Sequence, residues 1–430
     1  MYYCKGSDRV LKRPDYIIKN AAQILPCTGD EMQDFQVLTD TAIVIEGERI
    51  IDICSDKELK QRYVMDDTNS IDAEGKVVAP GYVDAHTHLV FYGSRVEEYA
   101  AKLSGNIEGN LKKIAMTIGP NRTIELTRDT PEDVLLEQSK KRIMTMLKHG
   151  TTTVESKSGY GLTPESELKI LRIGRQLHDS SPLDVVNTFL GAHGIPDHLT
   201  KEQYINEIVD VMIPQVAQHN LAEFCDVWCD EGYFTEQESE RILQAGLAYG
   251  LLPKIHADAY SYIGGSDLAV RMKMVSIDHL NYTPESLMTQ LAEAGVIGVL
   301  MPALDFAVAH KRPFAARKML DSGMQIALAT DMCPACYTSS MSFVINLACR
   351  LYQFTVEEAI KASTKVAARA LNLTDRGTLE IGKIADIQIW DVPNYKHVAY
   401  ELGTNIVETV IKRGRVVINE GTWVKENTFI

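Results

Sequence analysis

Eight short apolar runs, each alternating with a helix-like segment, constrain the fold of this chain more than any other feature. These β-type runs occupy residues 81–90, 151–157, 184–193, 223–230, 251–258, 275–280, 296–302 and 325–331. Between them lie segments whose apolar residues recur every three or four positions, which is typical of amphipathic helices. Strands and helices alternating in this number predict an α/β fold, a (β/α)8 TIM-like barrel in which a parallel sheet closes on itself.

The two ends of the chain have a different pattern. Short β-type runs joined by turns occur at residues 15–25, 41–53, 76–80, 377–391 and 405–421. Because chain ends often lie close together, both ends can contribute to one discontinuous domain. We therefore expect antiparallel strands in a small β-sandwich domain made of residues 1–79 and 373–430, and a barrel domain made of residues 80–372.

Composition and charge exclude several classes of protein. The chain has 430 residues, of which 45% are hydrophobic and 24% charged, as in ordinary globular proteins. Its net charge of -14 disfavours binding to nucleic acid or to an anionic membrane surface. The sequence contains no run of about 18 apolar residues that could span a bilayer and no signal peptide. These features predict a cytoplasmic protein whose eight cysteines are reduced thiols.

Polar residues end seven of the eight barrel runs. They are His88, Lys157, His193, Asp230, Asp258, His279 and Asp331. In a barrel of parallel strands, the carboxyl ends of all strands meet on one face, and this face carries the chemistry. The sequence therefore predicts a polar site at that face.

A histidine pair in the first run predicts a metal site. His86 and His88 are two residues apart, so both imidazoles point to the same side of a strand. A third nitrogen and a carboxylate from other strand ends would complete a site for one divalent ion, and His256 and Asp331 are the candidates.

Several motifs carry a resemblance to a known family. The segments PGYVDAHTHLVF, KIHAD, SIDHL and LATD resemble the amidohydrolase superfamily. FYGSR, TTTVESKSGYGL, TFLGAH and ADIQIWD make the chain similar to the imidazolonepropionase branch over essentially its whole length. The resemblance implies one divalent ion, Zn or Fe, held by His86, His88, His256 and Asp331. It also implies a homodimer and the hydrolytic opening of a five-membered cyclic amide, 4-imidazolone-5-propanoate, to formiminoglutamate.

Two residues are predicted to act in catalysis. A divalent ion lowers the pKa of bound water and so prepares it to attack an amide carbonyl. Asp331 can take the water proton and pass it to the leaving ring nitrogen. His279, at a neighbouring strand end, is placed to orient the water or to stabilise the developing oxyanion.

Three further residues are predicted to bind the substrate. Arg95 offers a planar fork that suits the carboxylate tail of a small molecule. The alternative for Arg95 is a surface ion pair with Glu97 or Glu98. The resemblance implies that Tyr160 and His193 supply the remaining polar contacts.

Four substitutions depart from the family pattern in loops expected near the substrate. Ala259 follows KIHAD where the family has an acidic or amide side chain, and Leu111 lies near a family tyrosine. MPALDF and MCPACYT replace the family segments after the seventh and eighth strands. These changes motivate an alternative function, a sister amidohydrolase acting on another cyclic ureide, amidine or pterin-linked substrate, or a deaminase. A third hypothesis is a binding barrel that keeps its metal only for stability.

Two other features have more than one interpretation. Cys333 and Cys336 form a C-x-x-C that predicts either thiols lining the pocket or a redox-sensitive pair. Lys157 is either a structural ammonium paired with Glu155 or an active-site charge.

Overall fold

The structure, a computed structural model, describes residues 11–103, 107–112 and 117–424, without the side chain of residue 108. Before the barrel, the described residues form one helix, α1 (Asp56–Arg62). They also form six strands: β1 (Tyr16–Lys19), β2 (Gln23–Ile24), β3 (Thr41–Glu46), β4 (Arg49–Ser55), β5 (Ser70–Asp72) and β6 (Val77–Pro80).

Eight parallel strands follow, at the positions predicted from the apolar runs. They are β7 (Tyr82–Asp84), β8 (Thr151–Lys157), β9 (Asp184–Ala192), β10 (Phe224–Cys229), β11 (Leu252–Ala257), β12 (Ser276–His279), β13 (Ile297–Leu300) and β14 (Ile326–Leu328). Each strand pairs with the next one along the chain, from β7 to β14. A single bridge between Thr87 and Met332, just beyond β7 and β14, joins the first and last strands and completes the barrel.

Helices cover the outside of the barrel and fill its connections. In chain order they are α2 (Val96–Lys102), α3 (Ile107–Leu111), α4 (Pro120–Asp129), α5 (Glu132–Lys148), α6 (Pro164–Ser180), α7 (Lys201–Glu207), α8 (Ile213–Gln218), α9 (Glu236–Ala248), α10 (Gly265–Met272), α11 (Glu285–Glu293), α12 (Pro302–Val308), α13 (Ala316–Asp321), α14 (Met341–Tyr352), α15 (Val356–Ala362), α16 (Lys365–Ala370) and α17 (His397–Tyr400). A π-helical turn, Ile208–Met212, joins α7 to α8.

Several helices begin at capping boxes encoded in the sequence. At α9, the Thr235 side chain accepts from the Glu238 amide, and the Glu238 carboxylate accepts in return from the Thr235 amide. Thr355 and Glu358 form the same arrangement at α15. Each box satisfies two backbone N–H groups that the first helical turn leaves unpaired, so these boundaries are set locally.

Both ends of the chain build the part outside the barrel, where β15 (Ile387–Trp390), β16 (Val407–Lys412), β17 (Arg415–Asn419) and β18 (Thr422–Trp423) lie. One sheet has the order β4-β3-β1-β5, and the other, β18-β17-β16-β15-β6-β2, combines both ends of the chain. Apolar residues from both sheets share one buried cluster, as expected for a sandwich. The expectation of antiparallel strands was wrong for two pairs, because β1 with β5 and β2 with β6 are parallel. The domain boundaries at residues 79/80 and 372/373 stay a prediction.

No helix among the described residues combines the length and the apolar character that a membrane crossing requires. The seven cysteines among them are all free thiols.

Candidate active site and metal centre

A cavity of about 560 Å³ opens at the carboxyl ends of the barrel strands. Its walls come from the connections that follow several strands, including the long connection between β7 and β8. The lining residues with polar or aromatic side chains are His88, Arg95, Glu98, Tyr99, Lys102, Tyr160, His193, Trp228, Tyr233, His256, Tyr260, His279, Tyr282, His310, Lys311, Asp331 and Cys333. The cavity therefore lies where barrels of this kind carry their chemistry.

The four predicted metal-ligating residues meet at the floor of this cavity. The Asp331 Oδ1 atom lies 3.7 Å from His86 Nε2 and 4.0 Å from His88 Nε2. The ring centroids of His86 and His256 are 4.6 Å apart. All four side chains are buried. Residues from three distant parts of the sequence are thus brought together, as expected from the strand ends.

Two carboxylates beneath the histidines fix the orientation of their rings. Asp278 Oδ2 lies 2.7 Å from His86 Nδ1, and Asp226 Oδ2 lies 3.0 Å from His256 Nδ1. With Nδ1 bonded to a carboxylate, each ring turns its Nε2 atom away from that partner. Among the described residues, these two Nε2 atoms and Asp331 Oδ1 have no hydrogen-bond partner. Buried nitrogen and carboxylate atoms left unpaired in this way fit a divalent transition-metal ion.

A buried network of charges lies directly below. Lys157 Nζ contacts Asp226 and Asp278, and both Lys157 and Lys254 contact Glu155. Two ammonium groups therefore face three carboxylates here, and Asp331 adds a fourth. The carboxylates among these groups outnumber the ammonium groups, which is a second point of fit for a cation because buried charge needs compensation.

Burial also sets the protonation of the cluster. It lowers the pKa of His86, His88 and His279 well below the ordinary value. It lowers the pKa of His193 to about 3 and raises that of Asp331 to about 6. Burial thus favours the neutral form of these four imidazoles at pH 7, and neutral histidine is the form that binds metals.

The backbone is strained at two of the strand ends that reach this floor. Asp331 has φ 46° and His279 has φ 87°, both in the left-handed region that side chains other than glycine rarely adopt. The Asp331 N–H donates to the His86 carbonyl at 3.1 Å. The Thr330 N–H donates to Asp84 Oδ1 at 3.0 Å. Such strain persists only where neighbouring contacts hold it, and it is characteristic of functional sites.

Arg95 lines the cavity but already has a partner. Its Nε and Nη2 atoms donate to the two Glu98 carboxylate oxygens at 3.0 and 2.7 Å. The same carboxylate accepts from Lys102 and from the Gly119 amide. The ion pair considered as an alternative is therefore present, but with buried Glu98 rather than on the surface. Its position at the cavity wall keeps Arg95 a candidate for binding an anionic tail.

Tyr160 and His193 form the wall next to His88. The His88 ring centroid lies 5.1 Å from that of Tyr160 and 4.8 Å from that of His193, which stacks on it. The loop that carries Tyr160 is held by Glu167, whose carboxylate accepts from the amides of Gly159, Gly161 and Leu162 at 2.7–2.8 Å. A buried acid thus fixes the position of this tyrosine, a relation that sequence reasoning missed.

His310 is a cavity residue that sequence reasoning also missed. Its Nε2 lies 3.0 Å from the carbonyl oxygen of Ala259, and its ring centroid lies 5.2 Å from that of Tyr260. The residue that replaces the family's acidic or amide side chain is therefore bonded through its backbone to a histidine from the loop after β13. His310 lies in a loop outside the eight runs, so no pattern in the sequence indicated it.

The other departures lie in different surroundings. Cys333 lines the cavity, whereas Cys336 lies behind it and donates to the Thr330 carbonyl at 3.5 Å. The two residues exchange backbone hydrogen bonds of 3.1 Å, and both thiols are free. Among the described residues, Leu111 is not part of the cavity lining.

Comparison with known proteins identifies relatives over nearly the whole chain. Residues 255–417 match the model of the amidohydrolase family. The imidazolonepropionase of Geobacillus thermodenitrificans is 42% identical over 402 residues, covering 92% of this chain and 94% of that protein. The imidazolonepropionase of Shouchella clausii is 40% identical over 424 residues, covering 97% of this chain and 94% of that protein.

Solved structures share the fold at lower identity. An adenosine deaminase from Xanthomonas campestris with bound zinc has a TM-score of 0.71 at 17% identity, covering 97% of this chain and 95% of its own. Atrazine chlorohydrolase TrzN from Arthrobacter aurescens TC1, complexed with zinc, has a TM-score of 0.69 at 17% identity, covering 95% and 96%. At this identity, the likeness establishes the barrel architecture.

Proposed function

Because the chain belongs to the imidazolonepropionases of the amidohydrolase family, we propose that it opens 4-imidazolone-5-propanoate to formiminoglutamate by hydrolysis. The reaction breaks a C–N bond of a five-membered cyclic amide. The observation that supports this most directly is the meeting of three histidines and Asp331 at the floor of a cavity large enough for a small molecule.

We propose His86, His88, His256 and Asp331 as the ligands of one divalent ion, Zn or Fe. When bound, such an ion supplies a Lewis acid that polarises the amide carbonyl and lowers the pKa of water. The chain contributes imidazoles that are already oriented, because Asp226 holds the Nδ1 atom of His256 and Asp278 holds that of His86. When the ligand side chains are already oriented, less free energy is needed to order them as the ion binds.

Asp331 is the proposed proton carrier. Its side chain lines the cavity beside the proposed ion, so it can reach a water molecule there. A carboxylate beside the proposed ion can accept a proton from water and release it again. We propose that it takes the water proton and delivers it to the ring nitrogen that leaves.

His279 is the proposed partner of the reacting carbonyl. Its ring centroid lies 5.1 Å from that of His256 and 5.5 Å from that of His86, and it faces the cavity. A neutral imidazole N–H at this position can donate to the oxyanion that develops as the amide carbon becomes tetrahedral.

The propanoate tail is proposed to lie against Arg95, Tyr160 and His193. Glu98 occupies two donor atoms of the guanidinium group and leaves Nη1 for the substrate. Tyr160 is 5% exposed and lines the cavity, so a substrate must enter the cavity before it can contact this side chain. A small carboxylate-bearing substrate is therefore the partner that we propose.

Two measurements on the purified protein test this function. Metal analysis is expected to find one transition-metal ion per chain, and steady-state kinetics to find turnover of imidazolone propanoate. Absence of a stoichiometric ion would refute the metal centre. A kcat/KM for imidazolone propanoate below that of every member of a panel of cyclic ureides and amidines would refute the substrate.

One specific observation keeps a second candidate function in view. His310 lines the cavity, and its Nε2 atom lies 3.0 Å from the carbonyl oxygen of Ala259, the residue that departs from the family pattern. This arrangement favours a sister amidohydrolase that uses the same water chemistry on another cyclic ureide, amidine or pterin-linked substrate, or a deaminase. The panel above separates the two functions. The homodimer and the cytoplasmic location stay predictions.

A further inference from the structure

Lys157 is a buried ammonium group enclosed by acids. It is the last residue of β8, and its side chain is 0% exposed. Its Nζ atom lies 2.8 Å from Asp226 Oδ2, 3.1 Å from Asp278 Oδ2 and 3.0 Å from Glu155 Oε2. Lys157 does not line the cavity, so it does not touch the substrate.

The oxygens that Lys157 contacts are the ones that orient the histidines. Asp226 Oδ2 is also the atom next to His256 Nδ1, and Asp278 Oδ2 is also the atom next to His86 Nδ1. One ammonium group therefore fixes two carboxylate oxygens, and each oxygen fixes one imidazole. The connection from Lys157 to each ring runs through a single side chain.

We propose that Lys157 is a positioning residue, an internal cation that keeps the imidazoles of His86 and His256 aligned for a single divalent ion. The inference rests on the metal centre proposed above and adds to it the group that holds the centre in shape. Of the two interpretations of Lys157 left open by the sequence, this inference favours the structural ammonium. Lys157 pairs with buried acids and affects the metal centre only through the histidines that those acids orient.

The physical reason is the repulsion that Lys157 prevents. Asp226 and Asp278 carry like charges in a buried region, where such repulsion is strong because the effective dielectric constant is low. Without the ammonium, the two carboxylates move apart, and the imidazole rings that they hold lose their fixed orientation. Loss of an outer partner of this kind typically weakens metal binding by about 10–100-fold.

Lys254 provides a matched control. It is also 0% exposed and belongs to the same network, where it donates to Glu155 Oε1 at 2.6 Å. Among the described residues, it bonds to neither Asp226 nor Asp278. Replacing Lys254 removes the same charge from the same network without removing a contact to the acids that orient the histidines.

The experiment compares Lys157→Met and Lys254→Met with the wild-type chain, each stripped of metal and titrated with zinc against a chelating dye. For Lys157→Met, we expect zinc affinity to fall by about 10–100-fold and the visible absorption bands of the cobalt-loaded protein to change. For Lys254→Met, we expect a loss smaller than about tenfold and unchanged cobalt bands. Thermal unfolding of the metal-free proteins checks that both are folded.

Several outcomes overturn the proposal. They are wild-type zinc affinity in Lys157→Met, an equal loss in both variants, or a second zinc ion bound where the ammonium was. If Lys157→Met does not fold, the double variant Lys157→Met with Glu155→Gln restores the charge balance without changing an acid that orients a histidine, and it is measured instead. Wild-type zinc affinity in that double variant also overturns the proposal. Failure of the wild-type chain to bind either zinc or ferrous ion refutes the proposed metal centre, whereas binding by all variants alike refutes only this inference.

Discussion

The two ends of the barrel each carry a buried charge cluster, and the clusters differ in how completely they are paired. At the carboxyl ends of the strands, His86 Nε2, His256 Nε2 and Asp331 Oδ1 have no hydrogen-bond partner among the described residues. At the opposite end, Asp184 accepts from Arg376, from Lys412 at 2.8 Å and from Arg413 at 3.1 Å.

The difference in pairing matches two different roles: the unpaired cluster is the proposed reaction site, and the paired cluster is a structural connection. Asp184 starts β9, and its partners Lys412 and Arg413 lie at the end of β16, so this cluster ties the barrel to the sheet built by both chain ends. A structural connection is most stable when every polar atom is bonded. A metal or substrate site must leave atoms free for a ligand, which costs stability, as at His86, His256 and Asp331.

The largest expected effect is at the unpaired end. Asp331→Asn removes the proposed proton carrier and should lower kcat for imidazolone propanoate by about 10²–10⁴-fold. The fold should persist, because asparagine keeps the shape of the side chain. Steady-state kinetics with circular dichroism as a control for folding tests this. Activity within tenfold of the wild type would assign the proton transfer to another group.

At the paired end, Asp184→Asn should affect stability instead. It leaves Lys412 and Arg376 short of a partner in a buried region, and breaking a buried ion pair from one side costs about 3–5 kcal/mol. Urea unfolding measures the change. The folded variant should keep the wild-type kcat/KM, and a fall in activity without a fall in stability would contradict the division between the two ends.

Arg95→Met should have a smaller effect that is confined to substrate binding. Hydrogen bonds to charged groups contribute about 1.5–3 kcal/mol, so KM should rise by about tenfold to a hundredfold while kcat changes little. Glu97→Gln, an exposed neighbour on the same helix, serves as the control and should leave KM unchanged. An unchanged KM in Arg95→Met would mean that the guanidinium only pairs with Glu98.

The smallest effects are two opposite pH dependences of stability. Burial raises the pKa of Asp305, which lies beside the cavity wall, to about 6. This group favours the folded state below its ordinary pKa of about 4, and that contribution disappears as the pH rises through 6. At the other end, Lys412 and Arg376 hold the pKa of Asp184 below its ordinary value despite burial. Its contribution is present above pH 4 and is lost as the pH falls further.

Unfolding midpoints in urea between pH 3 and pH 7 separate these two dependences. Asp305→Asn should reduce the decline in stability between about pH 4 and pH 6, and Asp184→Asn should reduce the loss below about pH 4. If the unfolding midpoint depends on pH with the same slope in both variants and in the wild type, neither carboxyl controls the pH dependence of stability.

The barrel could be predicted because each of its strands leaves a local pattern. A buried parallel strand is apolar along its length, and its last residues turn polar where it reaches solvent or a site, as in residues 251–258 and 325–331. The four proposed ligands followed from this pattern, because strand ends of a barrel converge wherever they lie in the sequence.

The partners of those ligands could not be predicted in the same way. Asp226 lies in the middle of an apolar run and bonds to a histidine on the next strand, so its role depends on the register between β10 and β11. An acidic residue inside a buried strand was the available signal, since charges are rarely buried without a partner. Glu167 and His310 act through loops, whose conformation no periodicity encodes.

The pairing between neighbouring strands is weakest where the first and last strands of the barrel meet, and the proposed metal site lies across this junction. Neighbouring strands elsewhere pair at three to five positions, whereas β7 and β14 are joined through the Thr87–Met332 bridge just beyond them and through the hydrogen bonds of Thr330 to Asp84. His86 and His88 stand on one side of this junction and Asp331 on the other. An ion held between them would connect the first and last strands of the barrel. Removal of the ion should therefore first expose the amides of His88 and Asp331 to exchange with deuterated solvent. Catalytic competence and mechanical closure of the cylinder would then depend on the same atom.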